Sequence, residues 1–215
     1  MLSVITNALR ASLLPFVLCG LIYPLAVTGV GQLILPFQAN GSLEQDINGV
    51  IIGSRLIGQQ WNAPEWFHGR PSATTDTDPT DPAKTVPAPY NAANSTGSNL
   101  GPTNRNLLDR LMADRKVLEN AQSELIGKRL PADMLTTSAS GLDPDISPAN
   151  AELQAARVAI ARGIPIAQVN ALIEQHITGR SLGVLGEPRV NVLALNLALQ
   201  RATAPSRETR NEPGK

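Results

Sequence analysis

The chain has 215 residues, and its 18 Lys and Arg residues balance 18 Asp and Glu residues, so the formal net charge is zero. This balance excludes the strongly basic surface typical of nucleic-acid-binding proteins, and no nucleic-acid partner is predicted. Cysteine occurs once, at Cys19, so the domain that follows cannot depend on an internal disulfide. The residues after the first forty suffice for one compact domain with its own core.

An uncharged stretch near the N-terminus, from Ala11 to Leu43, has a strongly apolar centre. A bilayer core of about 30 Å needs about 20 mainly apolar helical residues, which this stretch supplies. We therefore predict a transmembrane helix over residues 13–35, preceded by a cytoplasmic segment of residues 1–12. Small residues in the span would allow close packing against a neighbouring membrane helix, and they are Gly20, Ala26, Gly29 and Gly31.

The charges that flank the span predict its orientation. Arg10 and the α-amino group precede it, whereas Glu44 and Asp46 follow it. Positive charge tends to stay in the cytoplasm, so the N-terminus is expected inside and residues 40–201 outside, as one extracytoplasmic domain. A cleaved signal peptide is the alternative, although its apolar region is normally only ~7–15 residues long and the apolar pattern here continues beyond that length.

Beyond the span, the residue pattern predicts an α+β fold class: one N-terminal transmembrane helix followed by a single domain of mixed helices and strands. Short apolar runs at 50–52 and 56–57 flank Gly53-Ser54, which suggests two core strands joined by a tight turn. A further strand is predicted at 134–139. Helical periodicity covers residues 106–125, 148–162, about 165–179 and 192–200. The polar tail, 202–215, has the composition of a disordered segment.

Two segments of the predicted domain are irregular in composition. Residues 74–106 are rich in Pro, Asp, Thr, Asn and Gly, which indicates a long loop or flexible segment. Just before it, Trp61 and Trp66 are the two tryptophans of the protein. Tryptophan favours half-buried core positions and partner surfaces alike, so both interpretations stay open.

The motifs of common enzymes do not occur in this chain. It has no G-x-x-x-x-G-K-[ST] phosphate loop, no Asp-Lys-Thr-Gly phosphorylation sequence and no G-x-S-x-G nucleophile turn. Its two histidines, His68 and His176, lie far apart in sequence, and a zinc site would need both of them plus carboxylates. We therefore predict no catalytic residue, no metal site and no directly bound cofactor, which favours an accessory subunit over an enzyme.

Six sequence blocks, taken together, give the chain a specific likeness. They are residues 53–59 (Gly-Ser-Arg-Leu-Ile-Gly-Gln), Phe67 with 69–73 (Gly-Arg-Pro-Ser-Ala), Tyr90-Asn91, 98–104, 140–144 with 146–148, and 185–197. With these blocks in this order, the chain resembles the C subunit of the Kdp-type potassium-transporting ATPase of bacteria, from the span to about residue 199. It departs from the usual family pattern at Trp66, Thr96 and Asp145.

This resemblance implies a non-catalytic subunit of an ATP-driven, high-affinity potassium uptake complex in the bacterial inner membrane. The implied partners are a channel-like subunit, a P-type ATPase subunit, a small accessory membrane subunit and membrane lipid. ATP, Mg and potassium would act at the level of the complex. The family is also described as a catalytic chaperone that raises the ATP affinity of the hydrolysing subunit. An external domain cannot meet cytoplasmic ATP, so that effect would have to pass through the span.

Four polar residues in the domain are candidates for partner contact or for fixing loops, and they are Arg70, Asn91, Asn99 and Asn104. Asn residues often satisfy loop backbone, so a purely structural role is the simpler interpretation. Two alternative functions remain at this point, a membrane-anchored extracytoplasmic hydrolase and an anchored solute-binding protein.

Overall fold

The computed structural model describes residues 1–203 of the chain. It contains two compact units, Met1–Glu44 and the described part of Gln45–Lys215. Helices and short strands are mixed, as the predicted fold class requires. Most of the predicted tail, residues 204–215, lies outside the described residues, whereas positions 202 and 203 belong to the last helix rather than to a disordered tail.

The first unit is mainly one long apolar helix. It consists of α1 (Leu2–Val17), a π-helical turn (Leu18–Ile22) and α2 (Tyr23–Ile34), followed by the short α3 (Pro36–Ala39). Within residues 1–203, the 33-residue stretch Leu2–Ile34 is the one helix long and apolar enough to cross a membrane. The helix begins well before residue 13, because no residue between Leu2 and the apolar centre interrupts it.

The π-helical turn has a local chemical cause. Pro24 has no N–H to donate to the carbonyl four residues earlier, and its ring crowds that carbonyl. The backbone N–H of Tyr23 donates instead to the oxygen of Leu18, five residues back, which is the π-helical pattern. The span therefore widens for one turn and continues, rather than breaking at the proline.

The predicted strands at the start of the domain are only partly correct. The structure has β1 (Leu43–Gln45) and β2 (Ile51–Ser54), so Gly53-Ser54 lies inside a strand and not in a turn. The turn lies earlier, where the Asp46 carboxylate accepts hydrogen bonds from the N–H groups of Asn48 and Val50. Residues 56–57 form no strand, and Val50 and Ile51 are exposed, so the expectation of two core strands is wrong.

The segment predicted as a long loop contains regular structure. β3 (Thr75–Thr77) and β4 (Thr85–Pro87) pair antiparallel, with Asp76 opposite Val86. Aspartate side chains supply the turn between them: Asp78 accepts from the N–H of Thr80, and Asp81 accepts from the N–H of Ala83. Composition indicated a loop because these strands are too short and too polar to show an alternating apolar pattern.

The helix predicted at 106–125 is observed as α4 (Arg105–Ala121), followed by a 3₁₀ turn (Ser123–Leu125). The sequence offers Thr103 or Asn104 as its cap, and Asn104 takes this role by accepting a hydrogen bond from the N–H of Asn106. Three Arg-to-carboxylate pairs at i,i+4 spacing lie along its polar side. The strand predicted at 134–139 is wrong, because a 3₁₀ turn (Ala132–Met134) and irregular chain occupy this region.

The core of the domain is built from three helices and a small sheet. The helices are α5 (Pro148–Arg162), α6 (Ile166–His176) and α7 (Val192–Thr203). The strands β5 (Asp145–Ile146), β6 (Ile177–Thr178) and β7 (Arg189–Asn191) form an antiparallel sheet in the order β5-β7-β6. Alternation along residues 192–200 would also allow a strand, but their Ala and Leu content favours a helix, and the structure has a helix there.

The ends of α5 follow from its sequence. Ser147 caps the start by accepting a hydrogen bond from the N–H of Asn150, and Pro148 occupies the first turn. Gly163 ends the helix in the left-handed conformation at φ 65°, which glycine adopts without a side-chain clash. The sequence predicts both ends, from the Ser147-Pro148 start and the Gly163 stop, and the structure confirms them.

Two buried side-chain amides attach one extended segment to this core. Asn196 in α7 is 0% exposed; its Oδ1 accepts from the N–H of Phe67 at 2.8 Å, and its Nδ2 donates to the Phe67 oxygen at 3.0 Å. Gln154 in α5 makes the same pair of bonds to the N–H and oxygen of His68, at 2.8 and 3.0 Å. The Phe67 ring is therefore held in the centre of the core, where it is fully buried.

The hydrogen bonds between Asn196 and Phe67 lead to a first prediction, on the stability of the domain. Replacing Asn196 by Leu keeps an apolar side chain of comparable size but leaves the buried N–H and oxygen of Phe67 without partners. Each such group costs roughly 1–3 kcal/mol, so we expect Asn196→Leu to lower the free energy of unfolding by about 3 kcal/mol. Urea unfolding of the full-length chain, followed by tryptophan fluorescence, measures it. The control Asn170→Leu, on an exposed position of α6, should change stability by less than about 0.5 kcal/mol.

Candidate functional site

Arg70 is the centre of a polar network that joins three separate parts of the domain. Its guanidinium donates to the Asp143 carboxylate at 2.9 Å and to the backbone oxygen of Thr137 at 3.1 Å, with a longer contact of 3.4 Å to the oxygen of Thr136. The Arg70 and Asp143 side chains are 23% and 29% exposed. The guanidinium thus links the segment around Phe67 to the chain that precedes β5, and most of its donors are already used.

Tyr90 extends this network to the polar loop. Its hydroxyl donates to the backbone oxygen of Arg70 at 2.6 Å, and its N–H donates to the Ser72 hydroxyl at 3.0 Å. The backbone of Tyr90 has φ 61°, a left-handed conformation that is unusual for a bulky residue. Burial raises the pKa of Tyr90 to about 12, an effect that the Asp143 charge increases and the Arg70 charge opposes.

Two glycines make room for the Tyr90 ring. A Cβ atom at Gly58 would overlap the edge of the ring and the backbone oxygen of Asp143, and one at Gly69 would overlap the Tyr90 hydroxyl. Both glycines belong to the sequence blocks that gave the chain its likeness. These glycines therefore serve to let the backbone lie close to an aromatic ring, and not to make the chain flexible.

The four candidate residues of the domain lie in different settings. Asn91 joins the Arg70 network through Thr74, since its N–H donates to the Thr74 hydroxyl at 3.1 Å, and its side chain donates to the Thr75 oxygen at 3.0 Å. Asn104 only caps α4. Asn99 is exposed and has φ 52°, which Asn tolerates better than most residues. The structure therefore connects Arg70 with Asn91 and leaves Asn99 and Asn104 apart from them.

The four small residues of the span do not form one continuous face. Ala26 and Gly29 are three positions apart in α2 and share a side of the helix. Gly31 follows Gly29 by two positions, a rotation of about 200°, so it lies on the opposite side. Gly20 falls within the π-helical turn. Only Ala26 and Gly29 thus make a small-residue pair suited to close helix packing.

Trp61 lies against the core, and Trp66 lies beside it in a segment that arginines of α5 bind. Trp61 packs against the buried cluster, with its ring centroid 5.0 Å from that of Trp66. The Arg162 guanidinium lies 4.2 Å above the Trp66 ring and donates to the oxygen of Glu65. Arg157 donates to the backbone oxygens of Pro64 and Trp66. Of the two interpretations left open by the sequence, the core patch is the one that these contacts support.

His68 is held as a neutral ring. Its Nε2 lies 3.0 Å from the Ala63 oxygen, so this nitrogen carries the proton and Nδ1 is an acceptor. Burial and the nearby Arg157 charge lower the pKa of His68, while the Ala63 carbonyl works in the other direction. The second histidine, His176, contacts the oxygen of Leu172 on its own helix. Among residues 1–203, no three His, Cys, Asp or Glu side chains are grouped so as to hold a metal ion.

Two residues that attach the Phe67–His68 segment to the core were not predicted from the sequence. Gln154 and Asn196 occupy buried helical positions that periodicity assigns to apolar side chains. A polar amide between apolar neighbours, as at Asn196 between Leu195 and Leu197, was the available signal. The partner of Asn196 could not be identified from the sequence, because the backbone that it bonds, at Phe67, lies far away in the chain.

The Arg70 network leads to a second prediction. Arg70→Gln removes a charge that is mostly enclosed and hydrogen-bonded, and we expect it to lower the free energy of unfolding by about 2 kcal/mol. The matched control is Arg105→Gln, whose pair with Asp109 is 82% and 55% exposed and should be worth less than about 0.5 kcal/mol. Urea unfolding of both variants measures the difference. An Arg70→Gln chain of unchanged stability would contradict the loop-fixing role.

The neutral His68 leads to a third prediction, on pH. In the folded state the pKa of His68 is below its ordinary value, so the unfolded chain binds the proton more readily. The free energy of unfolding therefore falls as the pH drops through about 6.5 towards the folded pKa. We expect the unfolding temperature to decrease between pH 7.5 and 5.5, and this decrease to be smaller in His68→Gln. His176→Gln is the control and should keep the parent's pH dependence. Equal pH slopes in all three chains would show that His68 does not contribute.

Comparison with known proteins identifies the family. Residues 5–201 match the sequence profile described as KdpC: K+-transporting ATPase, c chain. A potassium-transporting ATPase KdpC subunit of Bradyrhizobium diazoefficiens is 54% identical over 205 residues, which cover 95% of this chain and 100% of that protein. The same-named subunit of Methylobacterium nodulans is 56% identical over 183 residues, or 85% of this chain and 89% of that protein.

A third relative, the KdpC subunit of Rhodopseudomonas palustris, is 55% identical over 203 residues, covering 94% of this chain and 100% of its own length. The aligned region includes both the apolar helix and the domain. Since the family profile and relatives of this identity extend over nearly the whole length, the chain belongs to the KdpC family, the c chains of K+-transporting ATPases.

Proposed function

We propose that this chain is a non-catalytic subunit of an ATP-driven potassium uptake complex, anchored in the bacterial inner membrane by its N-terminal helix. The observation that carries the proposal is the family match over residues 5–201, which includes the helix as well as the domain. The long apolar helix, none of whose residues is buried, supports the membrane anchor.

The proposed orientation places the N-terminus in the cytoplasm and the domain, residues 40–201, outside. The distribution of charge supports it, since Arg10 precedes the apolar centre while Glu44 and Asp46 follow it. The domain folds without any cysteine, so neither an oxidising nor a reducing compartment affects its covalent structure.

Within the complex, we propose that the span packs against a membrane helix of the channel-like subunit through the side that carries Ala26 and Gly29. Small residues let two helix backbones approach closely, and this favours association in lipid. The P-type ATPase subunit and the small accessory subunit complete the assembly, with lipid around the remaining faces of the span. Asn99 is the better candidate for contact by the domain because it is exposed, whereas Arg70 is occupied internally.

ATP and Mg would bind the ATP-hydrolysing subunit and not this chain, because in the proposed orientation the domain and cytoplasmic ATP are on opposite sides of the membrane. A chaperone effect that raises the ATP affinity of that subunit would then be indirect, transmitted through the span and the assembled complex. Such coupling needs only that the complex with this chain favours the conformation that binds ATP more tightly.

One experiment tests both the role and the orientation. Cys19→Ser gives a cysteine-free chain, to which Asn170→Cys adds a site on an exposed position of the domain and Ser3→Cys a site near the N-terminus. Each variant is expressed in a strain that lacks its own copy of the chain and depends on this system at micromolar potassium. We expect all variants to restore growth, and a membrane-impermeant maleimide to label residue 170 but not residue 3 in intact spheroplasts.

Two results would contradict the proposal. Growth at micromolar potassium without any copy of the chain would remove the role in uptake. Labelling of residue 3 and not residue 170 would reverse the topology and would allow the domain to meet ATP directly. Permeabilised cells, in which both cysteines should react, provide the control for accessibility.

A further inference from the structure

A cleft of about 390 Å³ lies between α4 and the segment of residues 60–72. Val117 and Leu118 of α4 form one wall, and Trp61, Tyr90 and Met134 belong to the rest of the lining. The volume is within the range of small-molecule sites, and aromatic and aliphatic walls of this kind are typical of them. The cleft belongs entirely to the domain, and nothing in the proposed subunit role uses it.

The cleft has formed because α4 packs incompletely. None of its 17 residues is fully buried, although Leu107, Leu111 and Leu118 recur at helical spacing on one side. The helix covers the 60–72 segment without closing onto it, and the gap beneath leaves apolar side chains partly open. An amphipathic helix that is only partly packed leaves surface that gains stability when a ligand covers it.

Charges in the cleft are already compensated. Arg70 pairs with Asp143 at 2.9 Å, and Asp114 pairs with Arg110 at 2.9 Å. His68 also lines the cleft, and its lowered pKa favours the uncharged ring. Since a charged ligand would have to displace one of these internal pairs, the cleft favours an uncharged molecule. A nucleoside triphosphate, with several negative charges, finds no unpaired cation in the lining.

Hydrogen-bonding groups are nevertheless present at the edge and at the inner end. Gln60 and Asn62, both exposed, carry side-chain amides at the edge, and His68 also belongs to the lining. A small cavity of about 30 Å³, large enough for one water molecule, shares His68 and Leu118 with the cleft and is lined by Gln122.

Two buried polar atoms here have no partner among the described residues: Oε1 of Gln122, a residue 5% exposed, and Nε1 of Trp61. Buried groups of this kind are rare in folded proteins and each calls for an explanation. A water molecule in the small cavity would satisfy Gln122. The small cavity beside the cleft is thus polar and hydratable, whereas Val117, Leu118, Trp61 and Met134 make the cleft lining largely apolar.

We propose that this cleft is a binding site for a small uncharged molecule that combines an apolar body with an amide-like, hydrogen-bonding edge. The apolar body lies between Val117 and Leu118 on one side and the Trp61 and Tyr90 rings on the other. The polar edge pairs with the side-chain amides of Gln60 and Asn62 or with Nδ1 of His68. Charge and shape both exclude polyanions.

The probe for the test is N-acetyl-phenylalaninamide, which is neutral and has an aromatic body and two amides. The full-length chain is placed in lipid nanodiscs, since detergent can itself enter an apolar cleft, and tryptophan fluorescence is recorded. We expect a saturable change with half-saturation on the order of 1 mM, from the affinity per atom usual for small ligands. The carboxylate analogue N-acetyl-phenylalanine and ATP should bind at least about tenfold more weakly.

Matched variants locate the site. Val117→Glu places a charge in the wall, whereas Met112→Glu places the same charge on α4 outside the cleft; the parent residues are 66% and 61% exposed. We expect the first variant to weaken probe binding at least about tenfold and the second to leave it unchanged, with unfolding temperatures that agree. Trp61→Phe should abolish the fluorescence change, and Trp66→Phe should retain it.

Three outcomes would overturn the proposal. They are the absence of a saturable signal in the parent chain, equal binding of the neutral and anionic probes, and unchanged binding in Val117→Glu. A fourth outcome would replace the small-molecule proposal with a protein contact at the cleft. That outcome is a Val117→Glu chain that fails to co-purify with the membrane partners while the Met112→Glu chain still does. None of these outcomes depends on the orientation of the domain in the membrane.

Discussion

The arrangement of the domain depends on two side-chain amides that bond to the main chain of consecutive residues. Asn196 and Gln154 each make a donor and an acceptor bond, one to Phe67 and the other to His68. In this way side chains of α5 and α7 hydrogen-bond to the main chain of residues 67–68, which belong to no β-strand. Because the bonded groups are buried, an unmade bond would be costly, so the segment is held in a single register.

From this fixed segment, the rest of the polar structure follows. Three positions after Phe67, Arg70 lies where it can bond to Asp143, and its backbone oxygen receives the Tyr90 hydroxyl. The polar loop, which has few aliphatic residues, is therefore ordered by hydrogen bonds rather than by a core of its own. A domain without disulfides thus stabilises its longest irregular segment through side chains that reach backbone groups.

The apolar helix and the domain contribute to function in different ways. The helix contains the small-residue pair Ala26 and Gly29 and a π-helical turn next to Pro24, features that a membrane partner can use. The domain instead offers a cleft under α4 with compensated charges, and its strongest ionic groups are engaged internally. This division fits an accessory subunit, in which anchoring and surface recognition lie in separate parts of the chain.

The sequence alone determined the apolar span, the mixed fold class, the helices with clear caps such as Ser147 and Gly163, and the family likeness. These are local properties, set by composition, periodicity and capping chemistry within a few residues. Tertiary structure decided the rest: that Gly53-Ser54 lies in a strand, that residues 134–139 form none, and that a polar loop contains a hairpin. It also placed Arg70 beside Asp143, because partners that are far apart in sequence leave no local signal of their contact.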